Sequence, residues 1–161
     1  MRRTYVKKRN NFTKAIAVWS IASVLFLGCG SSSPVSVDTE ALATSLTGDI
    51  SYDNELTVLS EDEITNYVTV EKDVKCIMYM SSGATAEEVA EFTAPDEETA
   101  STMKNNVQEF LNDQKTSFED YIPEEAKRIE DAVLVVNGNY VVLCVSGDSA
   151  KAKEIIDSAF K

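Results

Sequence analysis

The chain contains no histidine among its 161 residues. Histidine is the commonest general base and the commonest metal ligand near neutral pH. Its absence excludes Ser-His-Asp and Cys-His catalytic arrangements and removes the usual zinc ligand. We therefore expect no catalytic and no metal-ligating residues, and we predict that the protein is not an enzyme.

Cysteine is also scarce, with Cys29, Cys76 and Cys144 as the only three. Their spacing does not match that of a zinc site. Cys76 and Cys144 each lie in the middle of an apolar, strand-like segment, where free cysteine is usually a small buried side chain. A disulfide between these two cysteines is the alternative, since exported proteins permit one.

The sequence lacks an EF-hand loop, a Walker loop and a dinucleotide-binding fingerprint. Its acidic residues instead recur in sets, most of them at expected helix starts, where the helix dipole favours negative charge. The sets are Glu61-Asp62-Glu63, Glu87-Glu88, Asp96-Glu97-Glu98 and Glu124-Glu125. We interpret them as capping and solvated side chains rather than a metal or catalytic site, and we expect no cofactor.

The apolar run from Ala15 to Leu27 is too short to span a bilayer, because a spanning helix needs about 20 residues. Six basic residues precede this run, and the small residues Gly28, Cys29 and Gly30 follow it. That order is typical of an export signal. We predict that residues 1–28 are a signal peptide.

The segment Leu25-Phe26-Leu27-Gly28-Cys29 resembles the lipobox of bacterial lipoproteins, with Phe26 where leucine is usual. The resemblance implies that the Cys29 sulfur carries a diacylglycerol and that Cys29 begins the mature chain. Two acyl chains hold a protein stably to a membrane. We expect attachment to the cell membrane on its extracytoplasmic face; an ordinary secreted protein and an uncleaved anchor are the alternatives.

The chain that follows Cys29 is strongly acidic. All 27 acidic residues follow this cysteine, whereas six of the 15 basic residues precede it. Such a charge repels nucleic acid and anionic polymers, so we predict no nucleic-acid partner. We interpret the acidity as a means of keeping an exported domain soluble, with a specific cationic partner as the alternative.

The composition predicts a tether followed by one domain. Residues 29–37 are polar and rich in serine, as flexible linkers are. Residues 38–161 have the length of one domain and can bury a core without disulfides.

Capping residues and apolar spacing predict four helices in this domain and a further short turn or helix. Asp38 starts a helix that runs to about Thr47, and a Ser60/Glu63 capping box starts a short one that runs to about Tyr67. Two more helices start at Asp96 and Asp148, and Pro123 begins the short turn or helix toward Glu130.

Alternation predicts a first hairpin from Val74–Ser81 and Val89–Ala94. Glu91 and Thr93 alternate with apolar residues in its second strand, so we expect one face of that strand to be wet.

A second hairpin is predicted from residues 132–136 and 140–146, which flank Asn137-Gly138. Both of its faces are apolar. Either helices cover both faces, or another subunit closes one of them. Together these elements predict an α+β domain, with an antiparallel sheet of two ββα units, helices packed on it, and two short preceding helices.

Three stretches carry a family resemblance: residues 82–92, residues 113–121 with Pro123, and residues 138–143. With the lipobox they resemble the DUF4358 family, uncharacterised lipoproteins of Gram-positive bacteria, mostly Firmicutes. The resemblance extends from about Asp38 to Lys161 and supports the envelope location. It implies no activity, ligand or catalytic residue.

Five residues form the candidate ligand or partner surface. Ser82, Gly83 and Thr85 lie in a loop longer than its hairpin requires and offer backbone and hydroxyl donors. Gln114 and Tyr121 bring an amide and a phenol to the end of the longest helix. A simple turn at Gly83 and core packing at the helix end are the structural alternatives.

We therefore expect a non-catalytic binding or interaction module in the cell envelope, with another envelope protein as its partner. The alternative is a small-molecule-binding accessory, for example to a transporter. That alternative predicts a concave pocket near Gly83 or Tyr121.

Overall fold

The structure, a computed structural model, describes residues 36–161. The predicted signal peptide and Cys29 lie outside these residues. The elements follow in the order α1 (Thr39–Asp49), β1 (Thr57–Val58), α2 (Glu61–Ile64), β2 (Lys75–Met80), β3 (Glu88–Thr93), α3 (Glu97–Glu119), α4 (Pro123–Glu130), β4 (Val133–Asn137), β5 (Tyr140–Val145) and α5 (Ser149–Ala159). None of the helices between residues 36 and 161 has the length and apolarity needed to cross a membrane.

The five strands form one antiparallel sheet in the order β1-β2-β3-β5-β4. Pairing of β3 with β5 joins the two predicted hairpins, so these two strands lie inside the sheet. The predicted α+β class is confirmed. The finer division into two ββα units is not, since α4 lies between the hairpins and α3 and α5 pack on opposite faces.

Alternate residues of β5 serve two cores. Val141, Leu143 and Val145 pack in the core that contains α3, and Val142 and Cys144 pack in the core that contains α1 and α5. Helices of the same chain therefore cover both faces of the second hairpin. Of the two expected arrangements, the one with helices on each face is present.

Local signals located the helix starts well. The side chains of Asp38, Asp96 and Asp148 each accept a backbone hydrogen bond at their helix start, and Ser60 and Glu63 form the complete capping box. The ends were less accurate. Helix α1 continues through Gly48, and α2 stops at Ile64 and continues as turns to Tyr67.

The second hairpin turns one residue later than predicted. Asn137 still pairs with Tyr140, so the two turn residues are Gly138 and Asn139. Gly138 has a φ of +56°, a conformation that glycine adopts without a steric penalty. The backbone carbonyl of Asn139, the next residue, accepts a hydrogen bond from the Ala94 N–H at 2.8 Å.

The sheet excludes the alternative of a disulfide. Cys76 lies on the face covered by α3, and Cys144 lies on the face covered by α1 and α5. Both cysteines are free. The expected pair of packed apolar side chains is what the structure contains, with Cys144 buried and Cys76 partly buried.

The predicted wet face of β3 is wrong. Glu91 is only 2% exposed, because β3 lies inside the sheet and α1 packs over this face. Sequence alternation gave no sign of that helix, since a glutamate in a strand is nearly always solvated.

Candidate functional site

The two candidate surface features meet at one concave site. A groove of about 600 Å³, the loop–helix groove, lies between the loop of residues 81–87 and the second half of α3. Ser82, Gly83, Thr85 and Gln114 all line it. Tyr121 does not; it lies beyond α3 with 76% of its surface exposed.

Internal hydrogen bonds shape the loop. The Ser81 hydroxyl donates to the Thr85 carbonyl at 2.6 Å, and the Ser81 N–H donates to the Glu87 carbonyl at 3.0 Å. Gly83 has a φ of +86°, which side-chain-bearing residues rarely adopt. Gly83 thus permits the turn, which was the structural alternative to a ligand role, and it also lines the groove.

The groove is lined by both apolar and polar side chains. The apolar ones are Tyr67, Met80, Phe110 and Phe118. Tyr67 and Phe110 meet edge to face, with ring centroids 6.3 Å apart, and Tyr67 remains 49% exposed. The polar ones are hydroxyl and amide side chains with a single carboxylate: Asn66, Ser81, Ser82, Thr85, Asp113, Gln114 and Ser117.

A buried acid lies behind Gln114. Glu88 is 0% exposed, and its Oε2 accepts from the Gln114 Nε2 at 3.3 Å. Burial raises the pKa of Glu88 to about 8, against the opposing effect of the Gln114 hydrogen bond. Among residues 36–161, neither the second oxygen of Glu88 nor the Gln114 Oε1 has a hydrogen-bond partner. Near pH 7 Glu88 is therefore mostly a neutral acid, which can donate as well as accept.

An arginine holds the far end of the loop. Arg128 of α4 lies 2.7 Å from the Glu87 Oε1 and 3.5 Å from the Glu125 Oε1, and it also contacts Asp53. Two of the carboxylates that contact Arg128 also accept hydrogen bonds from backbone N–H groups, and these bonds fix the loop. Glu125 accepts from the Ala86 N–H at 2.8 Å, and Glu87 accepts from the Asp53 and Asn54 N–H groups at 2.9–3.1 Å.

This network corrects the interpretation of two acidic sets. Glu87, Glu88 and Glu125 are buried rather than solvated. Sequence reasoning missed them and Arg128 because charged residues are rarely buried without a partner, and the partners come from distant parts of the chain. The only local signal was the Glu125/Arg128 spacing of three, which puts both side chains on one helix face.

The site offers binding groups rather than a reactive set. Lysine and arginine are absent from the lining of the loop–helix groove. Within residues 36–161, no three histidine, cysteine or carboxylate side chains are grouped so as to hold a metal ion. Hydroxyls, amides and aromatic rings hold neutral polar molecules by hydrogen bonds and by packing.

Comparison with known proteins identifies one family. The family model described as "Domain of unknown function (DUF4358)" matches residues 50–146, from the residue after α1 to just beyond β5. The match contains all three stretches on which the resemblance rested. No curated protein and no solved structure matches the chain.

Proposed function

This chain belongs to the DUF4358 family, and we propose that it is a membrane-anchored extracytoplasmic lipoprotein that acts as a non-catalytic binding module. The loop–helix groove is its ligand site. The ligand is a small neutral molecule with some apolar surface and several hydrogen-bonding groups, as in sugars and terminally blocked short peptides.

The anchor rests on Cys29. The basic, apolar and small-residue order of residues 1–28 and the lipobox-like end of that segment support lipidation of this thiol. The Ser-rich residues that follow would let the domain reach away from the membrane surface.

The observation that carries the binding role is the convergence of separate chain segments on one groove. Loop residues Ser82, Gly83 and Thr85 face Gln114 of α3 across a cavity of about 600 Å³, within the size range of small-molecule sites. The Arg128 network holds the loop in place before any ligand arrives. Pre-organisation of this kind lowers the entropic cost of binding.

Binding is favoured over catalysis by the chemistry of the lining. The Ser81 hydroxyl is already bonded within the loop, and Asp113 is the single carboxylate in the groove wall. A hydroxyl nucleophile needs an adjacent base to activate it. A role as accessory subunit for a small molecule therefore suits this groove better than hydrolysis or group transfer.

One of the observations that favoured an envelope-protein partner no longer applies. The expectation of such a partner depended in part on the apolar faces of the second hairpin, which α3, α1 and α5 cover. The small-molecule role, which required a cavity near Gly83 or Tyr121, is the one that the geometry near Gly83 favours.

The anchor is tested by mass spectrometry of the mature N-terminus from the native host. We expect a diacylglycerol mass on Cys29 and its loss in Cys29→Ser, with the variant released from membranes. A mature chain that begins elsewhere, or an unmodified Cys29, contradicts the anchor.

The groove is tested by NMR on the acyl-free Cys29→Ser chain with a panel of neutral saccharides and terminally blocked, uncharged dipeptides. Ligands should shift the amide signals of residues 81–85 and of the second half of α3. Gln114→Ala should weaken binding about tenfold, the value of one or two hydrogen bonds. Tyr121→Ala is the control, since Tyr121 lies outside the lining. A panel that shifts no groove signal argues against this site.

A further inference from the structure

A second pocket lies on the opposite face of the sheet from the loop–helix groove. This Glu91 pocket has a volume of about 300 Å³ and is more enclosed than the groove. Its lining comes from the start of α1, from β2 and from β3: Thr39, Glu40, Lys75, Cys76, Ile77, Glu91 and Thr93.

Glu91 is the unusual member of this lining. Its side chain is 98% buried, and neither carboxylate oxygen has a hydrogen-bond partner among residues 36–161. It pairs across the sheet with Ile77 on one side and Val142 on the other, and neither side chain can bond to it. Buried polar groups in native proteins are nearly always satisfied, because leaving one unpaired is costly.

From this pocket and its unpaired carboxylate we propose that the Glu91 pocket binds a small organic ammonium ion, a primary amine whose charged nitrogen pairs with Glu91. A primary ammonium brings three N–H donors. The lining offers acceptors for these donors, since it contains the Glu91 carboxylate and the hydroxyl-bearing residues Thr39 and Thr93, and Ile77 supplies apolar contact for a short alkyl chain.

The surrounding charges favour a cation. Glu40 lines the pocket, and Asp38 at the helix cap is close enough to raise the pKa of Glu91 further, after burial has raised it, to about 8. Lys75 is the one cationic side chain in the lining, and it lies on an exposed residue diagonally across from Glu91. Lys75 therefore competes with the ligand for Glu91 and is not a fixed partner of Glu91.

The chemistry favours an ammonium ion over a metal ion. Calcium takes six to eight oxygen ligands, and magnesium requires a near-ideal octahedron. The pocket provides two carboxylates, and the described residues hold no group of three metal-binding side chains. An ammonium ion needs only one well-placed carboxylate and a few acceptors.

The test uses isothermal titration of the acyl-free Cys29→Ser chain with n-butylammonium, in phosphate buffer free of other amines. We expect one site per chain, at least tenfold weaker binding in Glu91→Gln, and tighter binding in Lys75→Gln. Glu109→Gln is the matched control, since it removes one charge from an exposed position of α3. In the wild-type chain, binding should strengthen from pH 6 to pH 9 as Glu91 ionises, because the alkylammonium stays charged throughout.

Several results would overturn the proposal. n-Butanol binding as well as n-butylammonium would show that the charge is not recognised. Equal affinity in Glu91→Gln, calcium binding in place of the amine, or no heat of binding at any pH would each reject it. Should Glu91→Gln fail to fold, Lys75→Gln and the pH series still decide, since an unchanged affinity in both contradicts pairing with Glu91. This site is separate from the loop–helix groove, so neither proposal depends on the other.

Discussion

At the scale of single residues, two glutamates three positions apart on β3 face opposite cores. Glu88 lies on the α3 side and bonds to Gln114, whereas Glu91 lies under α1 with no hydrogen-bond partner among residues 36–161. Burial raises the pKa of each to about 8. Both groups therefore hold a proton in the folded state over a pH range where the unfolded chain has lost it.

This difference predicts that the domain becomes less stable as pH rises from about 5 to 8. Because the folded state binds more protons than the unfolded state in that window, the free energy of unfolding falls with pH, by about 2–4 kcal/mol per carboxyl. Urea unfolding of wild type and Glu88→Gln at several pH values checks it, and the variant should show a shallower fall. A flat wild-type profile between pH 5 and 8 would mean that these carboxyls are not perturbed.

Groups with lowered pKa values do not disturb that window. Hydrogen bonds lower the pKa of Glu63, Asp96 and Glu130. Their stabilising effect is present above the unfolded pKa and is lost as pH falls through the lower folded value. It therefore changes stability only in more acidic solution.

Substitution by alanine should have opposite effects on stability at two of the glycines. Gly48 lies in helical backbone, and Gly83 has a φ of +86°. An added Cβ meets no atom within 4 Å at either position, so the backbone alone decides. Gly48→Ala should stabilise the domain by about 0.5–1 kcal/mol, and Gly83→Ala should destabilise it by about 1–2 kcal/mol. Thermal unfolding measures both, and effects of the same sign would contradict these conformations.

At the scale of elements, α4 is the connector that fixes the groove. Its Arg128 contacts Glu87 just before β3 and Asp53 in the segment after α1, and its Glu125 bonds to the loop backbone. The helix is only eight residues long and carries its apolar contact on few side chains. Ionic contacts therefore do much of the positioning.

Arg128→Met should lower the free energy of unfolding by about 3–5 kcal/mol, because it leaves Glu87 and Glu125 buried without their cation. Lys127→Met is the neighbouring control. Lys127 pairs with Asp131 on the surface, where such pairs contribute little to stability. Urea titrations of both variants provide the comparison, and similar losses in the two would show that the network adds no more than a surface pair.

Elements were predictable where their signals are local. A cap such as Asp96 bonds to a backbone group three residues away, so sequence alone located the start of α3. Strand β1 has two residues, too few for any periodic pattern, and it is held by pairing with the distant residues Tyr79 and Met80. Its existence depends on the rest of the sheet.

At the scale of the whole molecule, the sheet divides the domain into two cores. Helices α2 and α3 contribute to one core, and α1 and α5 contribute to the other. The loop–helix groove opens beside the first core, and the Glu91 pocket lies on the face of the second. A ligand in one site therefore cannot contact the lining of the other directly.

The same division predicts that Cys76 and Cys144 do not form a disulfide with each other even under oxidising conditions. They belong to opposite cores, so no rotamer brings their sulfur atoms to bonding distance. In the Cys29→Ser chain, thiol titration in urea without reductant should count two thiols per chain. Reductant should leave the unfolding midpoint unchanged, whereas a count near zero would contradict the arrangement of the strands.

Sequence alone determined the class of the fold and the starts of the main helices. It also singled out five candidate surface residues, four of which line the loop–helix groove. These properties depend on periodicity, capping and turn chemistry, which act over a few residues. Only the tertiary structure decided which strands are central, that Glu88, Glu91 and Glu87 are buried, and that Arg128 joins three carboxylates. Whether a charged side chain is buried depends on elements far away in the chain, here α1 and α4. No local sequence pattern shows that these helices pack over the strand.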